Sequence, residues 1–154
     1  MATFDKIIEL LDKNNILYSI KNHPPTRTSE EAALHRGEPL KIGAKALIIK
    51  GKDQFYLTVI PADRKLDTKK LKKILQSKSL RFATEEELKE LTDLVPGSVP
   101  PFGNLLNLPM LVDKTLLEEE YMAFNAGSLT TSIKMKVKDY VRLLSPQFAE
   151  FSFL

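Results

Sequence analysis

Cysteine and tryptophan are absent from the 154 residues, and histidine occurs only as His23 and His35. The lack of thiols excludes a cysteine nucleophile, a thiolate metal site and a disulfide framework, and two histidines are too few for a histidine-based zinc site. No run approaches the roughly 20 apolar residues that a membrane-crossing helix needs. The N-terminus also lacks a basic segment followed by an apolar one, so a soluble cytoplasmic protein is expected. Walker loops and dinucleotide fingerprints are missing as well. Ser29, Ser98, Ser128 and Ser132 stand in no G-x-S-x-G context, with no evident histidine partner, which argues against a triad hydrolase. Paired carboxylates occur in helix-start clusters such as Glu85-Glu86-Glu87, where the helix dipole accounts for them. An enzyme built from these residues has to work by positioning, by backbone donors and by the substrate's own groups.

What the chain does contain is an uneven charge. The formal net charge is only +3, yet Arg64, Lys65, Lys69, Lys70, Lys72 and Lys73 crowd one stretch against Asp63 and Asp67. Such a run is either a solvated helix face or a footprint for phosphates.

Hydrophobic spacing at Phe4, Ile7, Ile8, Leu10 and Leu11 predicts a helix from Thr3 to about Lys13. A short strand is predicted over Ile16 to Ile20, then a helix behind Thr28 and Glu31 as a capping box, stopped by Gly37. Ala44 to Lys50 and Phe55 to Ile60 read as a hairpin. Asp67 caps a helix bearing Leu71, Ile74 and Leu75, and Thr84 with Glu87 forms a second capping box after a strand at Leu80 to Ala83. Strands are predicted at Met110 to Asp113, Tyr121 to Asn125 and Ser132 to Lys136, followed by a helix from Val137 to Leu144. Phe148, Phe151 and Phe153 predict a docked tail. Strands and helices alternate without regular βαβ spacing, so the fold class is α+β with a curved mixed sheet, as a single domain over residues 1–154.

Two features stand out for chemistry. The stretch from Leu94 to Gly103 carries Pro96, Pro100 and Pro101 with Gly97 and Gly103, which makes a stiff loop suited to the wall of a site. Lys45, at the start of an apolar strand, is either an edge-strand lysine or a cation that holds a phosphate, carbonyl or ribose oxygen.

Five ordered motifs add a family resemblance: His23 to Ala32, Gly43 to Leu47, Pro61 to Asp67, Gly97 to Gly103 and Phe124 to Ser128. Together they resemble the YbaK family, free-standing relatives of the editing domain inserted in bacterial prolyl-tRNA synthetases. The resemblance implies the barrel-like sheet with flanking helices of that fold, and a trans-editing hydrolase that deacylates mischarged tRNA, typically tRNA for proline carrying a small wrong amino acid. No cofactor and no metal are implied. The partners implied are aminoacyl-tRNA and a prolyl-tRNA synthetase, with no DNA and no membrane. By this resemblance Lys45 holds the 3′-terminal nucleotide, and Gly97, Ser98, Pro101 and Gly103 form the loop at the ester carbonyl. His23, Thr28, Ser29 and Ala32 border the aminoacyl pocket, with Asn125, Ala126 and Gly127 facing it. The family's chemistry recruits a hydroxyl of the terminal ribose together with water. Where the alanine-specific branch has a His-Pro-Leu type sequence after the phenylalanine, this chain has Asn125-Ala126-Gly127. The basic stretch of Arg64, Lys65, Lys69, Lys70 and Lys73 is the expected RNA contact. The rival readings are a non-catalytic module binding tRNA or a synthetase, and a regulator that binds a small effector.

Overall fold

The computed structural model describes residues 2–154. Helix α1 (Ala2–Lys13) sends Ile7 and Leu11 into the interior at i, i+4 spacing and gives way at Asn15, whose φ of 56° is one that asparagine tolerates. Ile16 is buried in the turn that follows, its amide bonded to the Leu11 carbonyl. Strand β1 (Tyr18–Asn22) therefore begins two residues later than its apolar pattern predicts. Helix α2 (Ser29–Arg36) starts where Thr28 accepts from the Glu31 amide and stops at Gly37, φ 71°. The expected capping box is half formed, because the Glu31 carboxylate accepts from the Thr28 hydroxyl instead.

Strands β2 (Ala44–Lys50) and β3 (Phe55–Pro61) form the predicted hairpin, in register from Ala44↔Pro61 to Lys50↔Phe55. They are the heart of a five-stranded sheet with β5 (Arg81–Phe82), β6 (Met110–Asp113) and β9 (Gln147–Ala149), ordered β5-β2-β3-β6-β9. β3 runs parallel to β6, and β6 to β9. A second, antiparallel sheet is ordered β1-β8-β7, from β7 (Tyr121–Asn125) and β8 (Thr131–Lys136). One parallel bridge, Gly43↔Ala123, joins the two sheets. A third pairing ties β4 (Lys65–Leu66) to β10 (Ser152–Phe153). The barrel-like expectation is not confirmed: among the described residues no sheet closes on itself, and one residue pair at Gly43 links the two sheets. Around them lie α3 (Thr68–Leu75), α4 (Glu85–Thr92), a short unpredicted α5 (Gly103–Leu106) and α6 (Val137–Leu144).

The main core packs α1, the two large sheets and α6 around Phe102, Phe124 and Tyr140. Phe102 tilts onto Phe124 at 5.4 Å and meets Tyr140 edge-on at 5.7 Å. A smaller cluster beneath α3 closes over Phe151, the residue by which the C-terminal segment docks; Phe153 remains 47% exposed. Burying a phenylalanine contributes about 2–3 kcal/mol, so Phe151 anchors that segment.

Candidate active site

At the start of β2, Lys45 is flanked by Ala44 and Ala46, whose short side chains leave open space beside it. Across that space α2 presents Ser29, Ala32 and Arg36, which fall on one helical face at i, i+3 and i+7. Thr26, Arg27 and Thr28 before α2, Gly97 and Val99 from the proline loop, and Asn125 at the end of β7 complete a cavity of about 200 Å³. None of its lining residues is acidic, while Arg27, Arg36 and Lys45 are cations.

The Lys45 ammonium donates to the Arg64 carbonyl at 3.0 Å, which occupies one of its hydrogens. Burial pushes this amine below the ordinary lysine value; Glu30 and Asp63 act against the shift and Lys65 adds to it. The Gly97 backbone turns through φ 86°, a conformation that glycine adopts freely. Its carbonyl accepts from Asn125 Nδ2 at 2.8 Å. The amides of Gly97 and Val99 donate to no acceptor among the described residues. An amide left unpaired beside a cavity is a ready donor for a ligand oxygen.

Arg36 forms the floor and is 7% exposed. Its Nε donates to Ser132 Oγ at 2.9 Å and its Nη2 to Asn125 Oδ1 at 3.2 Å. His23 stands behind Ser132, with Nε2 2.7 Å from Oγ and Nδ1 3.0 Å from the Pro24 carbonyl. The Ser132 hydroxyl donates its one hydrogen to Asn125 Oδ1 at 3.1 Å while its oxygen accepts from Arg36 Nε. Burial pushes the Arg36 guanidinium below the usual arginine value, against the opposing charge of Glu38. No carboxylate forms an ion pair with it among the described residues; Glu38 is bridged to Lys134 at 2.5 Å.

Of the residues singled out in the sequence, Lys45, Gly97, Thr28, Ser29, Ala32 and Asn125 line the cavity together. The others lie elsewhere. The Ser98 hydroxyl closes the turn by donating to the Val95 carbonyl at 2.7 Å, and its own carbonyl accepts from Gly127. Gly103 directs its amide to Met110 Sδ at 3.4 Å, and a Cβ there would stand 2.7 Å from the Leu108 carbonyl, so it is a packing glycine. The Pro101 carbonyl accepts from the buried Tyr140 hydroxyl at 2.6 Å. Ala126 is fully buried, and Gly127 packs on Thr3. Gly97 and Gly103 therefore do not converge on the cavity, and Val99 stands beside Gly97 in their place. Lys65, Lys69, Lys70 and Lys73 are exposed, whereas Arg64 holds Ser152 through Oγ at 2.6 Å and the carbonyl at 3.1 Å. Thr26, Arg27, Arg36, Ala62 and Val99 are among the lining residues to which sequence reasoning gave no site role. Arg36 had a signal, its place seven residues after Ser29 on the same helix. Among the described residues no three histidine, aspartate or glutamate side chains gather as a metal site requires.

Comparison with known proteins identifies the family. Residues 23–143 match the profile of the aminoacyl-tRNA editing domain. The chain is 32% identical over 155 residues to the multifunctional Ser/Thr-tRNA deacylase ProXp-y of Escherichia coli, covering 97% of this chain and 93% of that one. It is 29% identical over 145 residues to the prolyl-tRNA editing protein ProX of Acetoanaerobium sticklandii, covering 90% and 88%. A solved structure described as a candidate trans-editing enzyme for prolyl tRNA synthetase superposes with a TM-score of 0.85 at 26% identity, over 100% of this chain and 99% of that one. With the family profile spanning every segment that lines the cavity, the chain belongs to the aminoacyl-tRNA editing domain family.

Proposed function

We propose that this protein hydrolyses the ester of mischarged tRNA in trans, with the scissile carbonyl seated in the cavity between Lys45 and Gly97. The two unpaired amides of Gly97 and Val99 carry this reading, because they offer donors where the carbonyl oxygen gains charge. Water adds to the carbonyl carbon, the tetrahedral oxyanion is held by those amides, and the ribose oxygen leaves with a proton, giving free amino acid and tRNA. Lys45 orients the terminal nucleotide by donating to its oxygens. Thr28 and Ser29 supply hydroxyls at the rim, and Ala32 leaves room for the aminoacyl group. The deacylase and prolyl-tRNA editing names of the relatives support a small wrong amino acid as the group removed. The lysines of α3 guide the RNA backbone. A prolyl-tRNA synthetase is the source of mischarged product, so the activity belongs in the cytoplasm.

The test is release of amino acid from a panel of tRNAs charged with serine, threonine, alanine, cysteine and proline. Turnover on one or more mischarged species, above that on correctly charged prolyl-tRNA, is expected. Tight tRNA binding with no turnover on any species would instead favour a non-catalytic module.

A further inference from the structure

Arg64 stands in the basic run, yet its side chain is turned away from the role that its charge suggests. The guanidinium reaches back onto strand β10, where Nε donates to Ser152 Oγ at 2.6 Å and Nη2 to the Ser152 carbonyl at 3.1 Å. A planar fork can meet a hydroxyl and a carbonyl of one residue together, whereas a lysine ammonium is a point charge without that fork. The main chain of Arg64 serves a second partner. Its carbonyl accepts from the Lys45 ammonium at 3.0 Å. One residue thus joins the C-terminal strand to the lysine of the candidate active site.

The strand is a firm anchor. Phe151 beside it is fully buried, and its amide donates to Asp113 Oδ1 at 2.8 Å. The Phe151 carbonyl accepts from the Asp67 amide at 2.7 Å, and β10 pairs with β4 through Ser152↔Leu66 and Phe153↔Lys65. Between β3 and β4 the chain turns through Ala62 and the exposed Asp63, and the Arg64 fork ties the end of that turn to β10. Lys45 has a long, flexible side chain to order, and an ammonium held by one carbonyl keeps two N–H groups for a ligand in a set direction. We infer that Arg64 is a positioning residue: by gripping Ser152 it holds its own carbonyl where that carbonyl aims the Lys45 ammonium into the cavity. The C-terminal strand is then part of the active-site architecture, and Arg64 leaves the RNA contact to its lysine neighbours. Aim matters, because a misplacement of about 1 Å at a reacting centre costs on the order of a hundredfold in rate.

The inference rests on the deacylase reading above, and its test has one arm that does not. Arg64→Lys keeps the charge and removes the fork. Its single-turnover cleavage of a mischarged tRNA should fall at least about tenfold, with Kd for the tRNA and its salt slope close to wild type. In a Lys45→Ala background the same change should cost little further, since it acts through that lysine; an equal loss in both backgrounds contradicts the inference. The second arm is the carbon–proton correlation spectrum of the lysine side chains in the free protein, with Lys45 assigned by its loss in Lys45→Ala. Arg64→Lys and Arg64→Met should each shift the Lys45 Cε resonance and its titration midpoint while Lys69 and Lys70 stay in place. A merely structural arginine would lower stability and leave Lys45 unmoved. An unchanged Lys45 titration in folded variants overturns the inference, and so does wild-type cleavage by Arg64→Lys. A reduced salt slope in Arg64→Met with full cleavage at saturating enzyme assigns Arg64 to the RNA and overturns it too. If the wild-type protein cleaves no ester, the deacylase reading falls and the spectra still decide whether Arg64 holds Lys45. If neither Arg64 variant folds, Ser152→Ala, which removes one of the two acceptors, should give the same changes in smaller degree; no change at all would overturn the inference.

Discussion

Lys45 shows how a single residue can be costly to bury and useful for that reason. Its ammonium lies half-buried and donates to one backbone carbonyl, and burial holds its proton less tightly than in free lysine. On the proposed mechanism, in which the Lys45 cation orients the substrate, deacylation should fall on the alkaline side as pH rises through this lowered value, after correction for uncatalysed ester hydrolysis. Stability follows the opposite sign. Between the folded and unfolded pKa values the unfolded chain binds more protons, so the stability linked to Lys45 increases with pH in that window. Below the window the charged form is a standing penalty on the fold. Lys45→Met should therefore melt a few degrees higher than wild type near neutral pH while losing deacylation, a separation that thermal melts and turnover read together. Lys45 was legible in the sequence because a lysine inside an apolar strand breaks the pattern. Arg36 carried only the weak signal of its spacing from Ser29, since His35-Arg36-Gly37 looks like an ordinary polar helix end. Only the packing of α2 against β7 and β8 turns that side chain inward, onto Asn125 and Ser132.

Among the elements, the proline loop carries the sharpest contrast. Gly97 and Gly103 look alike in sequence, yet one faces the cavity and the other faces the core. An alanine at 97 must adopt φ near 86° and bring Cβ to 3.3 Å from Leu129. The left-handed backbone costs an alanine about 1–2 kcal/mol, and the strain sits on a residue that lines the cavity. Gly97→Ala should reduce kcat together with that modest loss in urea stability. At Gly103 the clash is with the Leu108 carbonyl at 2.7 Å, far from the cavity, so Gly103→Ala should lose about 1–3 kcal/mol of stability through overpacking. Turnover per folded molecule should change much less than in Gly97→Ala. The caps at Thr28, Asp67 and Thr84 and the β2–β3 hairpin could be read from local chemistry, since each depends on neighbours within a few residues. The short α5 could not, because Phe102 offers no side-chain cap and four residues give no periodicity. The placement of Pro101 depends on the distant Tyr140, a partner that the sequence does not reveal locally.

At the scale of the whole molecule, the two proposed functions fall on different elements. The cavity lies by the seam where Gly43 bridges to Ala123, while the exposed lysines of α3 lie on an outer helix that follows β4. Recognition of the amino acid and attraction of the RNA can then vary independently. Replacing Lys69, Lys70 and Lys73 by alanine should weaken tRNA binding for every attached amino acid. It should also reduce the slope of log K against log salt by about 2, since each phosphate that is no longer neutralised removes roughly 0.7–0.9 from it. An unchanged slope in filter binding across a salt series would remove α3 from the RNA interface. The α+β class followed from the order of strands and helices, whereas the open sheets did not, because closure depends on pairing across residues far apart in the chain.

The most direct test of the central claim is single-turnover cleavage of a mischarged tRNA by Lys45→Ala at saturating enzyme, with Kd for the tRNA measured on the same preparation. The account predicts a fall of about a hundredfold or more in the cleavage rate, the order expected for loss of a polar group that acts at the reacting centre. The Kd should move far less, because most of the RNA attraction is assigned to the lysines of α3. Cleavage by Lys45→Ala at the wild-type rate would contradict the account.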